Sequence, residues 1–230
     1  EKIRQGQPKI IDTEKMSLIE FGKAMSGRSP SRQYPPTVRD NWIYAEWPNI
    51  KKMMDVKKDS SLIGEHLIHG NYLPDPIRFK ITEKHDFMAP IEVVSLIGDS
   101  KKGFKFSWKP IPTAIGYFAI VIAQNEKTEE TIVWTSSDVY ETGWELMDYL
   151  SDNDVKRFIK DKVVMPPEVN SCAIPGEIFK DIETPVILFI AYGSELNLTY
   201  PPMPNDPKER EKWNPLWAVK VRLKSTGTII

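Results

Sequence analysis

Two neighbouring segments within residues 103–123 carry the clearest pattern of hydrophobic positions in the chain. Phe104, Phe106 and Trp108 alternate with polar residues, and this period of two predicts a β-strand with one buried face. Residues 116–123, GYFAIVIA, are apolar almost without interruption. Such a strand is buried on both faces, so we expect a further layer to cover the side that does not face its own core.

Further strand patterns lie on both sides of this pair. The segments concerned are 77–81, 91–97, 131–135, 186–191 and 217–223. Apolar and polar residues alternate in the first and the last of them, whereas 186–191, VILFIA, is again apolar throughout. About seven short strands in antiparallel order predict a mainly β fold, with an antiparallel β-sandwich over residues 88–230.

Residues 138–170 interrupt the strand pattern with helical signals. Trp144, Met147 and Leu150 have helical spacing, and Ser151 is placed to cap a second helix. A helical insertion in a β pattern either covers an exposed sheet face or edge, or serves as a recognition element. The sequence leaves both roles open.

Residues 1–87 are predicted to form an extended N-terminal arm with one short helix. Ser17 and Glu20 fit a capping box, which marks the start of that helix. The segment 28–50 combines prolines, which disfavour helices, with aromatic side chains that are costly to leave in water. We expect these aromatic residues to lie on the chain's own domain or on a partner chain. They include Tyr34, Trp42, Tyr44 and Trp47.

Four short motifs occur in the order typical of a known family. They are FSWKPIPTAIGYFAIVIA at 106–123, IVWTS at 132–136, CAIPGEIF at 172–179 and VILFIAYG at 186–193. With these motifs, residues 88–228 resemble bacterial fibronectin type III-like, or immunoglobulin-like, domains. The resemblance implies a fibronectin type III-like β-sandwich. The long helical insertion departs from the family, and so do Pro185 and Val186, which stand where the family has the tyrosine of its tyrosine corner.

The resemblance also implies a location. Domains of this family are common in secreted, surface-anchored and periplasmic bacterial proteins, so we expect the protein in the periplasm or at the cell surface. The chain begins at Glu1 rather than at a methionine, and a removed signal peptide is one interpretation, with a lipid anchor at the N-terminus as an option. Because no apolar run of about 18 residues is present, no transmembrane span is expected.

The doubly apolar strand leads to the first functional hypothesis. In the implied sandwich one face of the strand builds the core, and the other face would expose Phe118 and Ile120. Large exposed apolar patches are rare on monomers, so we predict that segment 28–50 crosses this sheet or binds a neighbouring subunit. The protein would then be a non-enzymatic structural or accessory subunit of an extracytoplasmic assembly, with other protein subunits as partners.

The segment before the last predicted strand supports an alternative hypothesis. This segment, NLTYPPMPNDPKEREKWNP, is proline-rich, contains Tyr200 and Trp213, and is predicted to be a loop at one end of the sandwich. Loops on rigid scaffolds often carry binding residues. An aromatic platform in this loop would make the protein a carbohydrate- or ligand-binding module.

Composition and motifs argue against several other functions. With 31 basic and 32 acidic residues, the chain lacks the basic footprint of a nucleic-acid-binding protein. The single cysteine, Cys172, forms no intramolecular disulfide and is interpreted as a small buried apolar residue. His66 and His69 would share a face of a helix, but Gly64 and Gly70 on either side disfavour that helix. We therefore expect no catalytic residues, no metal site and no cofactor.

Overall fold

The computed structural model describes residues 12, 15–31, 42–49, 56–57, 59–71, 73–99, 101–125, 128–176, 178–179, 182 and 185–229. The strands are β1 (Gly64–Ile68), β2 (Ile77–Ile81), β3 (Val93–Asp99), β4 (Gly103–Trp108), β5 (Ala114–Asn125), β6 (Glu130–Thr135), β7 (Ser171–Pro175), β8 (Ile187–Gly193), β9 (Leu196–Tyr200), β10 (Trp217–Val221) and β11 (Lys224–Ile229). The helices are α1 (Leu18–Met25), α2 (Asp152–Lys160) and α3 (Pro207–Arg210), with short 3-10 helices at Glu83–His85 and Trp144–Leu146. The fold is thus mainly β with antiparallel sheets, as predicted. Among the described helices, none has the length and apolar character needed to cross a membrane.

The chain divides into two compact units. The first unit comprises Glu1–Ser31, Met88–Ser194 and Leu223–Ile230, and the second comprises Arg32–Phe87 and Glu195–Arg222. This division differs from the predicted arm of residues 1–87 followed by a sandwich of residues 88–230. Residues 195–222 belong with residues 32–87, and the N-terminal residues belong with the sandwich.

The first unit contains two antiparallel sheets that enclose a core. One has the strand order β3-β4-β7 and the other has the order β11-β8-β5-β6. The alternation predicted on β4 is present, since Phe106 and Trp108 are buried while Lys105 is exposed. The ring centroid of Phe189 on β8 lies 4.5 Å from that of Trp108 and 5.7 Å from that of Tyr117 on β5. These aromatic side chains form the centre of the inter-sheet core.

A second core lies on the other face of the four-stranded sheet. Phe118 pairs with Ile190 across β5 and β8, and Ile120 pairs with Leu188. The insertion of residues 138–170 packs over this row and forms what we call the insertion core. Its buried residues are Phe118, Ile120, Leu146, Leu150, Val155, Phe158, Val163, Val164, Ile190 and Tyr192. The first unit therefore has three layers, and the insertion takes the covering role that the sequence left open.

Main-chain contacts fix the insertion on β5. The amides of Tyr117 and Met165 each donate to the carbonyl of the other residue at 2.9 Å. Gly116 lies next to this bridge, and a Cβ atom there would lie 2.8 Å from a methyl carbon of Val164 and 3.0 Å from one of Val155. Only glycine allows this close approach, so the residue before Tyr117 helps to set the position of the insertion.

The second unit contains two antiparallel hairpins, β1-β2 and β9-β10. At the open end of the first hairpin, the Asp86 carboxylate accepts hydrogen bonds from the Ser61 hydroxyl at 2.8 Å and from the main-chain amide of Phe87 at 2.8 Å. In the second hairpin, Tyr200 pairs with Trp217. Isolated two-stranded hairpins are marginally stable in water, so both need further contacts to remain folded.

The β9-β10 hairpin corrects two expectations from the sequence. Residues 197–200 were predicted as part of a loop but lie in β9. The strand predicted over 217–223 as the last strand of the sandwich ends at Val221 as β10 and pairs with β9 in the second unit. The strand that pairs with β8 in the first unit is the following one, β11.

Candidate functional site

The apolar face predicted to meet a partner is buried within the chain. Phe118 and Ile120 are 0% and 1% exposed, respectively, beneath the insertion. The expectation that these two residues bind a partner is therefore corrected, because the insertion already occupies the space above them. Of segment 28–50, residues 28–31 contact the insertion, residues 42–49 belong to the second unit, and residues 32–41 and 50 lie outside the described residues.

Residues 17–31, here called the N-terminal strap, run along the insertion. The predicted capping box at its start is confirmed: the Glu20 amide donates to the Ser17 hydroxyl, and the Ser17 amide donates to the Glu20 carboxylate at 2.9 Å. Further on, the Tyr140 hydroxyl donates to the carbonyl of Ala24 at 2.7 Å. The capping box starts α1, and the contact to Ala24 attaches the end of the helix to the insertion.

Glu141, a residue of the insertion, contacts the middle of the strap. Its side chain is fully buried, and its carboxylate accepts hydrogen bonds from the main-chain amide of Arg28 at 3.0 Å and from that of Gly143 at 3.1 Å. The guanidinium of Arg28 lies 3.6 Å from the same carboxylate. A Cβ atom at Gly27 would lie 2.1 Å from the carboxylate, so glycine is required for this approach.

Asp154 on α2 holds the end of the strap in the same way. Its buried carboxylate accepts hydrogen bonds from the amide of Ser31 at 2.9 Å, from the Ser31 hydroxyl at 3.0 Å and from the Ser151 hydroxyl at 2.7 Å. Burial alone would raise the pKa of Asp154, but these hydrogen bonds and the charge of Arg157 lower it below its ordinary value. The ionised carboxylate is therefore the form that fastens the strap.

We expect acid to weaken this attachment. The folded-state pKa of Asp154 is lower than the unfolded value of about 4, so its contribution to stability is present above that value and is lost as the pH falls through the folded pKa. The Asp154→Asn variant should lose less stability than the native protein between about pH 6 and about pH 3 in urea unfolding series. Asp148→Asn, at an exposed position of the insertion, is the control. Equal pH dependence in the native and Asp154→Asn proteins would contradict this account.

The aromatic residues of the predicted arm differ in how far they are buried. Tyr34 lies outside the described residues. Trp42 is partly buried, while Tyr44 and Trp47 are exposed, and all three belong to the second unit. The Tyr44 hydroxyl donates to the Glu46 carboxylate at 3.4 Å. Desolvation and this carboxylate raise the pKa of Tyr44. Large aromatic side chains therefore remain accessible in this segment.

The two residues of the predicted aromatic loop lie at one end of the β9-β10 hairpin. The rings of Tyr200 and Trp217 are stacked, with centroids 6.0 Å apart and planes 19° apart. The indole nitrogen of Trp213 donates to the carbonyl of Pro201 at 3.0 Å. The hairpin thus stacks Tyr200 on Trp217, and a hydrogen bond holds Trp213 to Pro201, the residue after Tyr200; Tyr200 is exposed. The sequence identified Tyr200 and Trp213 and placed Trp217 only as the start of the strand predicted over 217–223.

In the described part of the second unit, large apolar side chains are more often exposed than buried. Among its described residues, the buried apolar side chains are Ile77 and Ile81. The exposed ones are Ile43, Tyr44, Trp47, Val56, Ile63, Leu67, Ile68, Tyr200, Met203 and Leu216. The first unit shows the reverse, since its two cores bury most of its aromatic and aliphatic residues. Where exposed apolar side chains lie next to one another, they form a surface typical of binding sites.

The residues considered for catalysis or metal binding have ordinary structural contacts. His66 is on β1, where its ring stacks on Phe79 at 5.1 Å and a ring nitrogen lies 2.7 Å from the carbonyl of Leu62. Across the described part of the chain, no group of three His, Cys, Asp or Glu residues is arranged to hold a metal ion. Burial raises the pKa of the Cys172 thiol to about 12. The thiol therefore stays protonated at neutral pH and is a poor nucleophile.

One exposed apolar surface was not anticipated. Strand β3 was predicted from its apolar residues, which suggested burial, but Val94 and Ile97 are exposed. Its place at the edge of the three-stranded sheet explains this exposure. No local signal distinguishes an edge strand from a central one, because both contain the same apolar residues.

Comparisons with known proteins give no relative for this chain: no family model, no curated protein and no solved structure matches it. The functional conclusion therefore depends on the surfaces described above.

Proposed function

We propose that the protein is a non-enzymatic structural or accessory subunit of an extracytoplasmic protein assembly, and that it binds a partner chain through its second unit. The observation that carries this proposal is the contrast in burial between the two units. The first unit has two cores of its own, whereas the described part of the second unit exposes many more large apolar side chains than it buries. A protein partner that covers these side chains would supply the missing burial.

The interface would centre on the aromatic residues of segment 42–47. Trp and Tyr are enriched among the residues that contribute most to protein–protein affinity, because they bury a large area with little loss of side-chain entropy. Tyr44 and Trp47 are the exposed members of this segment, and Trp42 is beside them in sequence. We therefore assign Trp42, Tyr44 and Trp47 to the partner interface. Phe118 and Ile120 have no part in it.

The first unit supports the extracytoplasmic part of the proposal. Its seven strands divide into sheets of three and four, in the orders β3-β4-β7 and β11-β8-β5-β6. A seven-stranded antiparallel sandwich of this kind fits a fibronectin type III-like assignment. On this assignment the protein acts in the periplasm or at the cell surface. The link from fold to location is one of analogy, so the partner experiment is the decisive test.

The test is the capture of a stoichiometric partner by the full chain from cells that produce it. We expect Trp47→Ala to weaken the complex by about thirtyfold, as for a typical interface hot spot. Trp144→Ala, which removes a half-exposed indole from the first unit, should leave binding unchanged. Quantitative mass spectrometry of crosslinked complexes measures both. A complex that survives Trp47→Ala, or is lost equally with Trp144→Ala, would refute the proposed interface.

A carbohydrate- or ligand-binding module is the second candidate function. The stacked pair Tyr200 and Trp217, with Trp213 anchored nearby in the chain, is the observation that favours it. The same set of variants, extended by Tyr200→Ala and Trp213→Ala, separates the two functions on a glycan array. Binding of a glycan that is lost with these two variants and retained with Trp47→Ala would favour the module over the subunit.

A further inference from the structure

The strap contacts the insertion in the manner of a bound peptide. The amides of Arg28 and Ser31 donate to carboxylates of the insertion, and the carbonyls of Ala24 and Ser29 accept hydrogen bonds from its side chains. Within residues 17–31, all of which the structure describes, Ala24 alone is buried. Apolar burial therefore contributes little, and hydrogen bonds to a few fixed groups hold the strap.

The insertion positions its two carboxylates with its own groups. Glu141 also accepts a hydrogen bond from the amide of Gly143 at 3.1 Å. Asp154 also accepts from the Ser151 hydroxyl and from the Arg157 guanidinium, each at 2.7 Å. Because these donors belong to the insertion, the acceptors are preorganised for a ligand. The residues that bind main-chain groups of the strap, here called the strap site, are Tyr140, Glu141, Asp154 and Arg157.

The strap site also defines the sequence that it accepts. A Cβ atom at Gly27 would lie 2.1 Å from the Glu141 carboxylate, so this position requires glycine. The guanidinium of Arg28 lies 3.6 Å from the same carboxylate, and the Ser31 hydroxyl donates to Asp154 at 3.0 Å. The class of ligand is therefore a peptide that carries Gly-Arg and, three positions after the arginine, a serine.

The connectivity of the chain leaves the strap free to exchange. The strap belongs to the first unit by its contacts, but the chain passes into the second unit directly after Ser31 and returns to the first at Met88. The strap is thus joined to the sandwich only through residues 32–87. No strand of the sandwich has to separate from its neighbours when the strap leaves its site. Terminal segments with this kind of connection are the elements that identical chains exchange at low cost.

We propose that the strap site is a peptide-binding site and that the strap of a second copy of this chain is its alternative ligand. Each copy carries the same strap and the same site, so every contact described above is available between copies. Within one chain, the tether gives the strap an effective concentration of up to about millimolar, which favours its own site in dilute solution. Exchange becomes significant where copies are concentrated in an assembly or where the strap is weakened. This inference concerns the first unit and does not rest on the partner of the second.

A labelled synthetic peptide of residues 17–31, titrated into the full chain and followed by fluorescence anisotropy, tests the site. Gly27→Val in the chain places side-chain atoms against Glu141 and displaces the chain's own strap. We expect the peptide to bind this variant at least about tenfold more tightly than the native chain, whose site is occupied. Gly22→Val is the matched control, because a Cβ atom at Gly22 meets no atom within 4 Å, and it should behave like the native chain. Equal binding to all three chains, or binding to none, would overturn the proposal.

A second variant and a second peptide keep this test specific. Arg28→Glu in the chain brings another carboxylate towards Glu141, displaces the strap by a different route and should give the same increase in peptide affinity. A peptide that carries Gly27→Val should bind either variant at least about tenfold more weakly than the native peptide. Equal binding of the two peptides would show that the strap site is not where they bind.

Mixing two variants of the full chain tests exchange between copies. Glu141→Ala has a defective site and an intact strap, and Gly27→Val has the reverse. Each should sediment as a monomer, and an equimolar mixture should form a one-to-one complex through the intact strap and the intact site. Glu141→Ala mixed with the double variant Gly27→Val, Glu141→Ala has no intact site and should stay monomeric. Circular dichroism checks that each variant is folded. If the first mixture stays monomeric at concentrations where the peptide saturates Gly27→Val, exchange between copies is refuted.

Discussion

Replacing Phe158 by alanine is expected to lower the free energy of unfolding by about 3–5 kcal/mol. Phe158 is 1% exposed and belongs to the insertion core, where it packs with residues of the insertion and of strands β5 and β8. The loss combines the transfer free energy of the aromatic ring with the cavity that remains. Relaxation of the surrounding residues cannot close the cavity fully, because main-chain hydrogen bonds between Tyr117 and Met165 hold the insertion on β5.

Equilibrium unfolding in urea, followed by tryptophan fluorescence and by circular dichroism, measures this effect. Lys156→Ala, at an exposed position of the same helix, is the matched control and should change stability by less than about 0.5 kcal/mol. A loss below about 1 kcal/mol for Phe158→Ala would mean that the insertion does not pack as described. The predicted cover for the apolar face would then have to come from elsewhere.

Replacing Glu141 by alanine is expected to cost about 3 kcal/mol and to release the N-terminal strap. The carboxylate is the acceptor for the amides of Arg28 and Gly143, and it is the charge partner of the Arg28 guanidinium. Its removal leaves the partly buried amide of Arg28 and the buried amide of Gly143 without this acceptor. The strap then loses its central attachment, although Asp154 and Tyr140 still contact it.

Trypsin cleavage after Lys23 and Arg28 reports the release directly, since both sites lie in the strap. We expect cleavage to be faster in Glu141→Ala than in the native protein, and intermediate in Glu141→Gln, which keeps one oxygen acceptor. Glu145→Ala, an exposed position in the same insertion, serves as the control. An unchanged cleavage rate in Glu141→Ala would show that this carboxylate does not hold the strap.

The strap also shows how local and long-range information differ. The capping box at Ser17 and Glu20 was readable from the sequence, because its two hydrogen bonds join residues three positions apart. Glu141 and Asp154 were not identified, because their partners in the strap are more than 100 residues away. An isolated acidic residue carries no sign of such a partner. Its role becomes visible only when the insertion and the strap are brought together.

The grouping of the aromatic residues in the second unit likewise depends on the tertiary structure. The sequence selected Trp42, Tyr44 and Trp47 because aromatic residues in a proline-rich segment are costly to leave in water. It selected Tyr200 and Trp213 because loops on rigid scaffolds often carry binding residues. The sequence divided them between an arm and a sandwich loop. The structure assigns them to the same compact unit, because residues 195–222 form a hairpin outside the sandwich. Whether they bind a partner stays a prediction.

By itself, the sequence determined the positions of most strands, the start of α1 and the need for a layer over β5 and β8. These features depend on the period of apolar residues and on neighbours close in the chain. The tertiary structure decided which apolar rows are covered: the insertion buries Phe118 and Ile120, while Val94 and Ile97 on β3 remain exposed. The physical reason is that burial depends on which segments pair in space. Apolar residues on a central strand and on an edge strand form the same pattern, and only the neighbouring strands and layers distinguish them.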